Sequence, residues 1–86
     1  MNLGINNMKL GIYQHYKGNF YNLLAIARNT EDLAEMAVYQ SLYGDYGLWV
    51  RPLSMFQENL IIDGKNIKRF SFVKECLTKA PAALRI

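Results

Sequence analysis

The chain reads as a small, mainly β domain, and three features of the sequence carry that reading. Short apolar runs rich in Tyr, Phe, Val and Ile alternate with polar residues at a period of two. Gly, Asn and Asp turn signals separate these runs at hairpin spacing, most densely across residues 11–52. At 86 residues there is room for one core only. The expected architecture is an SH3-like antiparallel barrel of five to six strands, with a single helical turn and a short C-terminal helix. The barrel is expected over residues 9–73 and a basic C-terminal extension over 74–86. A twisted open sheet is the competing arrangement; closure is preferred because it removes the edges that an aromatic-rich chain would otherwise expose.

The elements follow in order. Residues 1–8 are a polar lead-in, and Met8 offers a second start beside Met1. The first strand is expected over residues 10–16, with Leu10, Ile12 and Tyr16 on one side and Tyr13 and His15 on the other. Lys17-Gly18-Asn19 tolerates the positive φ of a hairpin turn. The second strand, residues 20–28, is apolar on both faces and reads as central and covered on both sides. Asn29-Thr30-Glu31-Asp32 predicts one helical turn or an Asx turn. Strand three, residues 35–43, sets Met36, Val38 and Leu42 against Ala37, Tyr39, Ser41 and Tyr43, and Gln40 interrupts the first side. Gly44-Asp45-Tyr46-Gly47 turns the chain into a short fourth strand, residues 48–51, which Pro52 ends by removing a donor. Residues 53–57 form one helical turn, dropping Met55 and Phe56 onto the core. Residues 60–62 and 67–72 are strands five and six around Asp63-Gly64. Val73, Cys76, Leu77 and Ala80 share helical spacing before Pro81.

Composition narrows the function classes. The apolar fraction of 51% and charged fraction of 20% are those of a globular chain. One Cys and one His cannot make an internal disulfide or an ordinary Cys/His zinc site, which suits a reducing cytoplasm. There is no basic segment leading into a long apolar stretch at the N-terminus, and no run nears the ~18 apolar residues that cross a bilayer. A cytoplasmic protein with no membrane partner and no cofactor is expected. Charge is uneven: through Gly64, Lys9, Lys17, Arg28 and Arg51 are outnumbered by Glu31, Asp32, Glu35, Asp45, Glu58 and Asp63. From Lys65 onward, Lys65, Lys68, Arg69, Lys74, Lys79 and Arg85 meet Glu75 alone. An anionic partner is therefore sought in the C-terminal quarter.

The segments GIY-x-HYKG from Gly11, Ala27-Arg28, VY-x-x-LYG from Val38 and WVRP-x-x-MF from Trp49 resemble a small bacterial family, the domain of unknown function numbered sixteen fifty-three. The likeness covers residues 10–72 with its motif blocks in order. It implies a compact β-rich module and carries no activity with it. Two positions depart from the family pattern: Lys68-Arg69-Phe70 stands where Pro-Arg-Phe is usual, and Gln40 occupies a strand-three position that is usually basic.

The candidate site is Tyr13, His15, Tyr39, Trp49 and Arg51. Alternation gives Tyr13 and His15 one face of strand one, and Trp49 and Arg51 one face of strand four. Convergence of those faces would present rings and a guanidinium able to stack on a planar group and pair with a carboxylate or phosphate. The plainer alternative is cross-strand aromatic packing, with Arg51 held by a turn acid such as Asp45. His15 lacks a nucleophile or second titrating group in any catalytic context, and no P-loop or dinucleotide fingerprint is present. The expectation is a non-enzymatic binding module, monomer or homodimer, for a peptide, partner domain or small planar molecule. The second expectation is an accessory RNA- or DNA-binding barrel that adds Lys68 and Arg69 to those aromatics.

Overall fold

The computed structural model describes residues 8–75. Along them run β1 (Gly11–His15), β2 (Phe20–Arg28), β3 (Glu35–Ser41), β4 (Leu48–Pro52), α1 (Leu53–Phe56), β5 (Asn59–Ile62), β6 (Lys65–Lys68) and β7 (Phe70–Lys74). Five strands form an antiparallel sheet in the order β4-β3-β2-β1-β7, and β5 and β6 form a separate hairpin.

Local chemistry sets the turns. At the β1–β2 turn Gly18 has φ +113°, and its N–H donates to the His15 carbonyl at 2.7 Å. Between β2 and β3, Asn29 Oδ1 accepts from the Glu31 N–H at 2.8 Å and Asp32 Oδ1 from the Ala34 N–H at 2.9 Å. These Asx bonds, with Leu33 at φ +61°, make a turn where a helical turn was the other option. Asp63 and Gly64 both have positive φ, 53° and 76°, as a two-residue type I′ hairpin turn requires.

Register decides what lies inside. Tyr13 is opposite Tyr21, Leu23 opposite Tyr39, and Tyr39 opposite Trp49, while Ala37 is opposite Arg51 and His15 opposite Phe70. Directly opposed residues share a face, so one concave face collects nearly all the rings. Irregularities between Leu23 and Ala25 and between Ile12 and Tyr13 add curl. The curl is strong enough that Phe70, on edge strand β7, reaches within 6.3 Å of the Tyr39 ring on β3. The core is Tyr13, Leu23, Ala37, Tyr39, Leu53, Phe56 and Phe70.

The expected barrel does not close. Among the described residues β4 and β7 remain the two edges of the sheet, and the β5–β6 hairpin pairs only with itself. Pro52 ends the β4 ladder and sends the chain into α1, which crosses the open side of the curled sheet. Phe56, from α1, fills the gap by stacking on Phe70 at 3.9 Å with the planes 4° apart. The expected sixth strand divides at Arg69, whose N–H donates to the Glu58 carbonyl at 2.8 Å while its carbonyl accepts from the Tyr16 N–H at 2.9 Å. That one residue hands the chain from the hairpin to β1, so two short strands replace one.

Three smaller expectations are also corrected. β2 is central, yet Leu24 on its outward side is exposed, and no described element covers that face. In α1 the inward pair is Leu53 and Phe56, three apart, and Met55 points outward. Val73 lies in β7, not in a helix; Cys76, Leu77, Ala80 and Pro81 lie outside the described residues.

Phe56 is fully buried and Met55 is 41% exposed. Phe56→Ala is therefore expected to cost about 3–5 kcal/mol in urea unfolding, and Met55→Ala less than about 0.5 kcal/mol. A loss below about 1 kcal/mol for Phe56→Ala would show that the stack does not hold the sheet.

An aromatic and arginine pocket as candidate functional site

The five residues singled out from the sequence do share the concave face, at different depths. Tyr13 and Tyr39 are buried. The Tyr13 ring meets Phe56 and Phe72 edge-on, its hydroxyl donates to the Lys9 carbonyl at 2.6 Å, and burial pushes its phenol up. Tyr13 is thus a core residue. Tyr39 packs against Tyr21 and Phe56, and its hydroxyl accepts from Arg51 Nε at 3.3 Å. Trp49 is 53% exposed, and its indole N–H donates to Ser41 Oγ at 2.8 Å. His15 stands apart, half-buried against Phe70 and Tyr16.

Tyr39, Trp49 and Arg51 line a cavity of about 220 Å³ with Tyr21, Ser41 and Tyr43. The last three were missed from the sequence, although Ser41 and Tyr43 alternate with Tyr39 along strand three. The Tyr21 and Tyr43 hydroxyls are 2.7 Å apart. Burial first, and that hydrogen bond second, push the Tyr21 phenol up to about 12, so it stays protonated.

The cavity is rich in hydrogen-bond donors. Arg51 uses Nε on Tyr39 and keeps both terminal nitrogens. Tyr39 and Ser41 each accept one bond and retain a hydroxyl proton to give. In the Tyr21–Tyr43 pair only one proton lies between the oxygens, so the other is free to donate. Among the described residues no carboxylate lines the cavity. Asp45, the expected partner of Arg51, instead accepts from the Gly47 N–H at 3.0 Å. Convergent donors, one fixed positive charge and aromatic walls fit an anionic group on a planar or apolar body.

The basic residues of the second expectation fall elsewhere. Arg69 gives both Nε and Nη2 to Glu58 Oε1, at 3.2 and 2.8 Å, in the only ion pair found among the described residues. Lys68 lies on β6 beside a different hollow, lined also by Tyr13, Gln57 and Phe72. A larger cavity of about 450 Å³ at the Lys9, Asn22 and Glu75 end of the sheet has no aromatic wall. Among the described residues no three His, Cys, Asp or Glu side chains gather as metal ligands, and no helix is long and apolar enough to cross a membrane.

Residues 11–72 match the model of a family described as a protein of unknown function, DUF1653. The chain belongs to this family. A similar solved structure is the crystal structure of a DUF1653 protein from Bordetella bronchiseptica. It aligns with a TM-score of 0.73 at 29% identity, over 85% of this chain and 96% of that one. No curated protein matches.

In this DUF1653 domain His15 sits among positive charges. Its Nδ1 accepts from the Lys17 N–H at 3.1 Å, which places the proton of the neutral ring on Nε2. Burial, then Arg69, Lys17 and Arg51, lower its pKa from 6.5. The folded state therefore binds a proton less readily than the unfolded chain, and stability falls as pH drops below 6.5. Urea midpoints taken from pH 7.5 to 5 should decline through that window for the native chain and decline less for His15→Gln. An equal decline in both would remove His15 as the cause.

Proposed function

We propose that this DUF1653 domain is a non-catalytic binding module whose ligand carries a carboxylate or phosphate on a planar or apolar body. The single observation that carries the reading is a cavity that joins an arginine without a carboxylate partner among the described residues to hydroxyls that can donate. Arg51 is half-buried, has no carboxylate beside it, and faces the cavity between Trp49 and the Tyr39 hydroxyl. An arginine so placed is partly desolvated without its charge being met, and a ligand anion supplies what the fold does not. The exposed Trp49 ring and the edges of Tyr21 and Tyr43 give the ligand body apolar contact. At about 220 Å³ the space suits one ring or one side chain, not a large cofactor. Arg69, by contrast, is neutralised by Glu58 and offers an anion less.

The test is an NMR titration of the whole chain with benzoate and with benzamide, its neutral isostere. Benzoate is expected to bind on the order of millimolar, as fits a ligand of that size. It should shift the Trp49 indole and Arg51 Nε signals and outbind benzamide by roughly tenfold, the size of one charge-assisted bond. Arg51→Ala should erase that preference. Equal binding of the two probes, or a preference that survives Arg51→Ala, would overturn the proposal.

A further inference from the structure

The wall of this pocket that carries Trp49 and Arg51 is also a free sheet edge. β4 pairs with β3 on one side and, among the described residues, with nothing on the other. The Ser41 N–H donates to the Gly47 carbonyl at 3.0 Å, and the register continues it through Tyr39 opposite Trp49 and Ala37 opposite Arg51. Those pairs use the backbone groups of Trp49 and Arg51 inward. Antiparallel geometry then turns the N–H and C=O of Leu48 and Val50 outward, onto the edge. Neither residue has another partner among the described residues, and their exposures are 66% and 63%. Trp49 between them is exposed as well, so three consecutive apolar residues sit on a strand with one free edge among the described residues. Sheet edges are ordinarily blunted by charge, proline or a covering element. β7, the opposite edge, ends in Lys74; β4 has no outward charge, and its proline comes only at its last position.

Resting on the anion-pocket reading above, we infer that this edge receives an extended acidic peptide as an added strand, with one Asp or Glu side chain entering the pocket beside Arg51. An added strand continues the pleat, so its residues opposite Trp49 and Arg51 face the concave side, and their neighbours face the side of Leu48 and Val50. The favoured ligand pattern is apolar–acidic–apolar: main-chain bonds along β4 hold the peptide and the acid selects it. Charge decides between this occupant and a second copy of the chain. β4 reads Leu-Trp-Val-Arg-Pro and contains no acid, so self-pairing would bring two guanidiniums to one seam and satisfy neither.

Trp49 is the sole tryptophan of the chain and reports on the site directly. The probe is a terminally blocked heptapeptide of alternating Thr and Val with a central Glu, followed by Trp49 fluorescence. Two altered peptides leave the protein untouched: Gln in place of the Glu, and N-methylation of the amides that would face β4. Each is expected to weaken binding at least tenfold, and Arg51→Ala should remove the difference between the Glu and Gln peptides. Undiminished binding of the N-methylated peptide would overturn strand addition while leaving benzoate recognition, and so the pocket reading, intact. Loss of the benzoate preference as well would bring down both. Sedimentation showing a dimer that the peptide cannot dissociate would instead assign the edge to a second copy. Tight binding of single-stranded RNA that ignores Arg51→Ala would overturn the acidic-peptide assignment.

Discussion

A parallel stack of two phenyl rings closes what the backbone leaves open. Phe56 comes from the one helical turn and Phe70 from the edge strand β7, and they meet at 3.9 Å in the mouth of a sheet with two unpaired edges. Tyr13 and Tyr39 surround Phe56, and Tyr21 packs edge-on against both Tyr39 and Phe70. A chain of this size cannot bury a thick aliphatic layer, and rings remove the most apolar area per residue placed. The curvature of the sheet, the position of α1 and the approach of β7 to β3 all rest on this cluster. If it loosened, the Tyr39 hydroxyl and the Arg51 guanidinium would lose their common frame.

The core and the pocket are one aromatic network seen at two depths. Tyr39 contributes its ring to the core and its hydroxyl to Arg51; Tyr21 contacts Tyr39 and Phe70 with its ring and Tyr43 with its oxygen. Tyrosine suits this double duty because one end is apolar and the other seeks a partner. The hydroxyls are consequently fixed by core packing and not by flexible surface rotamers. Donors held this way cost a ligand little ordering when it arrives.

Part of this arrangement was legible in the residues and part was not, for identifiable reasons. Alternation alone puts Tyr13 with His15 and Trp49 with Arg51, because a strand has a strict period of two, and the structure keeps both pairings. The hairpin at Asp63-Gly64 was equally readable, since its positive φ values demand such residues. The depth of Tyr13 and Tyr39 was not readable: it depends on α1 returning over them, a contact far away in sequence from Tyr13. The break at Arg69 shows in the sequence only as two consecutive polar residues, Lys68-Arg69, which interrupt the alternation without saying why; the Glu58 carbonyl on one side and Tyr16 on the other divide the strand there. Asp45 looked like the partner of Arg51, but an Asx bond to an N–H two residues on is formed at far less entropic cost than a cross-strand ion pair. Closure misled most, because whether β4 meets β7 is a long-range question that no local pattern answers.

That failure of closure gives β4 its character. In a sealed barrel its outward N–H and C=O groups would be spent on a neighbouring strand, and the Arg51 side chain would sit under that neighbour. Pro52 prevents this by ending the ladder and redirecting the chain into α1, so the plug that stabilises the core and the exposure of the edge arise from the same turn. The cost is an unguarded apolar strand, which a solitary domain ordinarily conceals. Leu48, Trp49 and Val50 remain in water beside a charge with no ion-pair partner among the described residues, while the inner part of the concave face is packed with rings. Packing alone does not account for that contrast: an aliphatic residue at position 51 and a lysine at position 48 or 50 would serve the fold at least as well. The combination makes physical sense for a strand whose second neighbour is supplied from outside the chain.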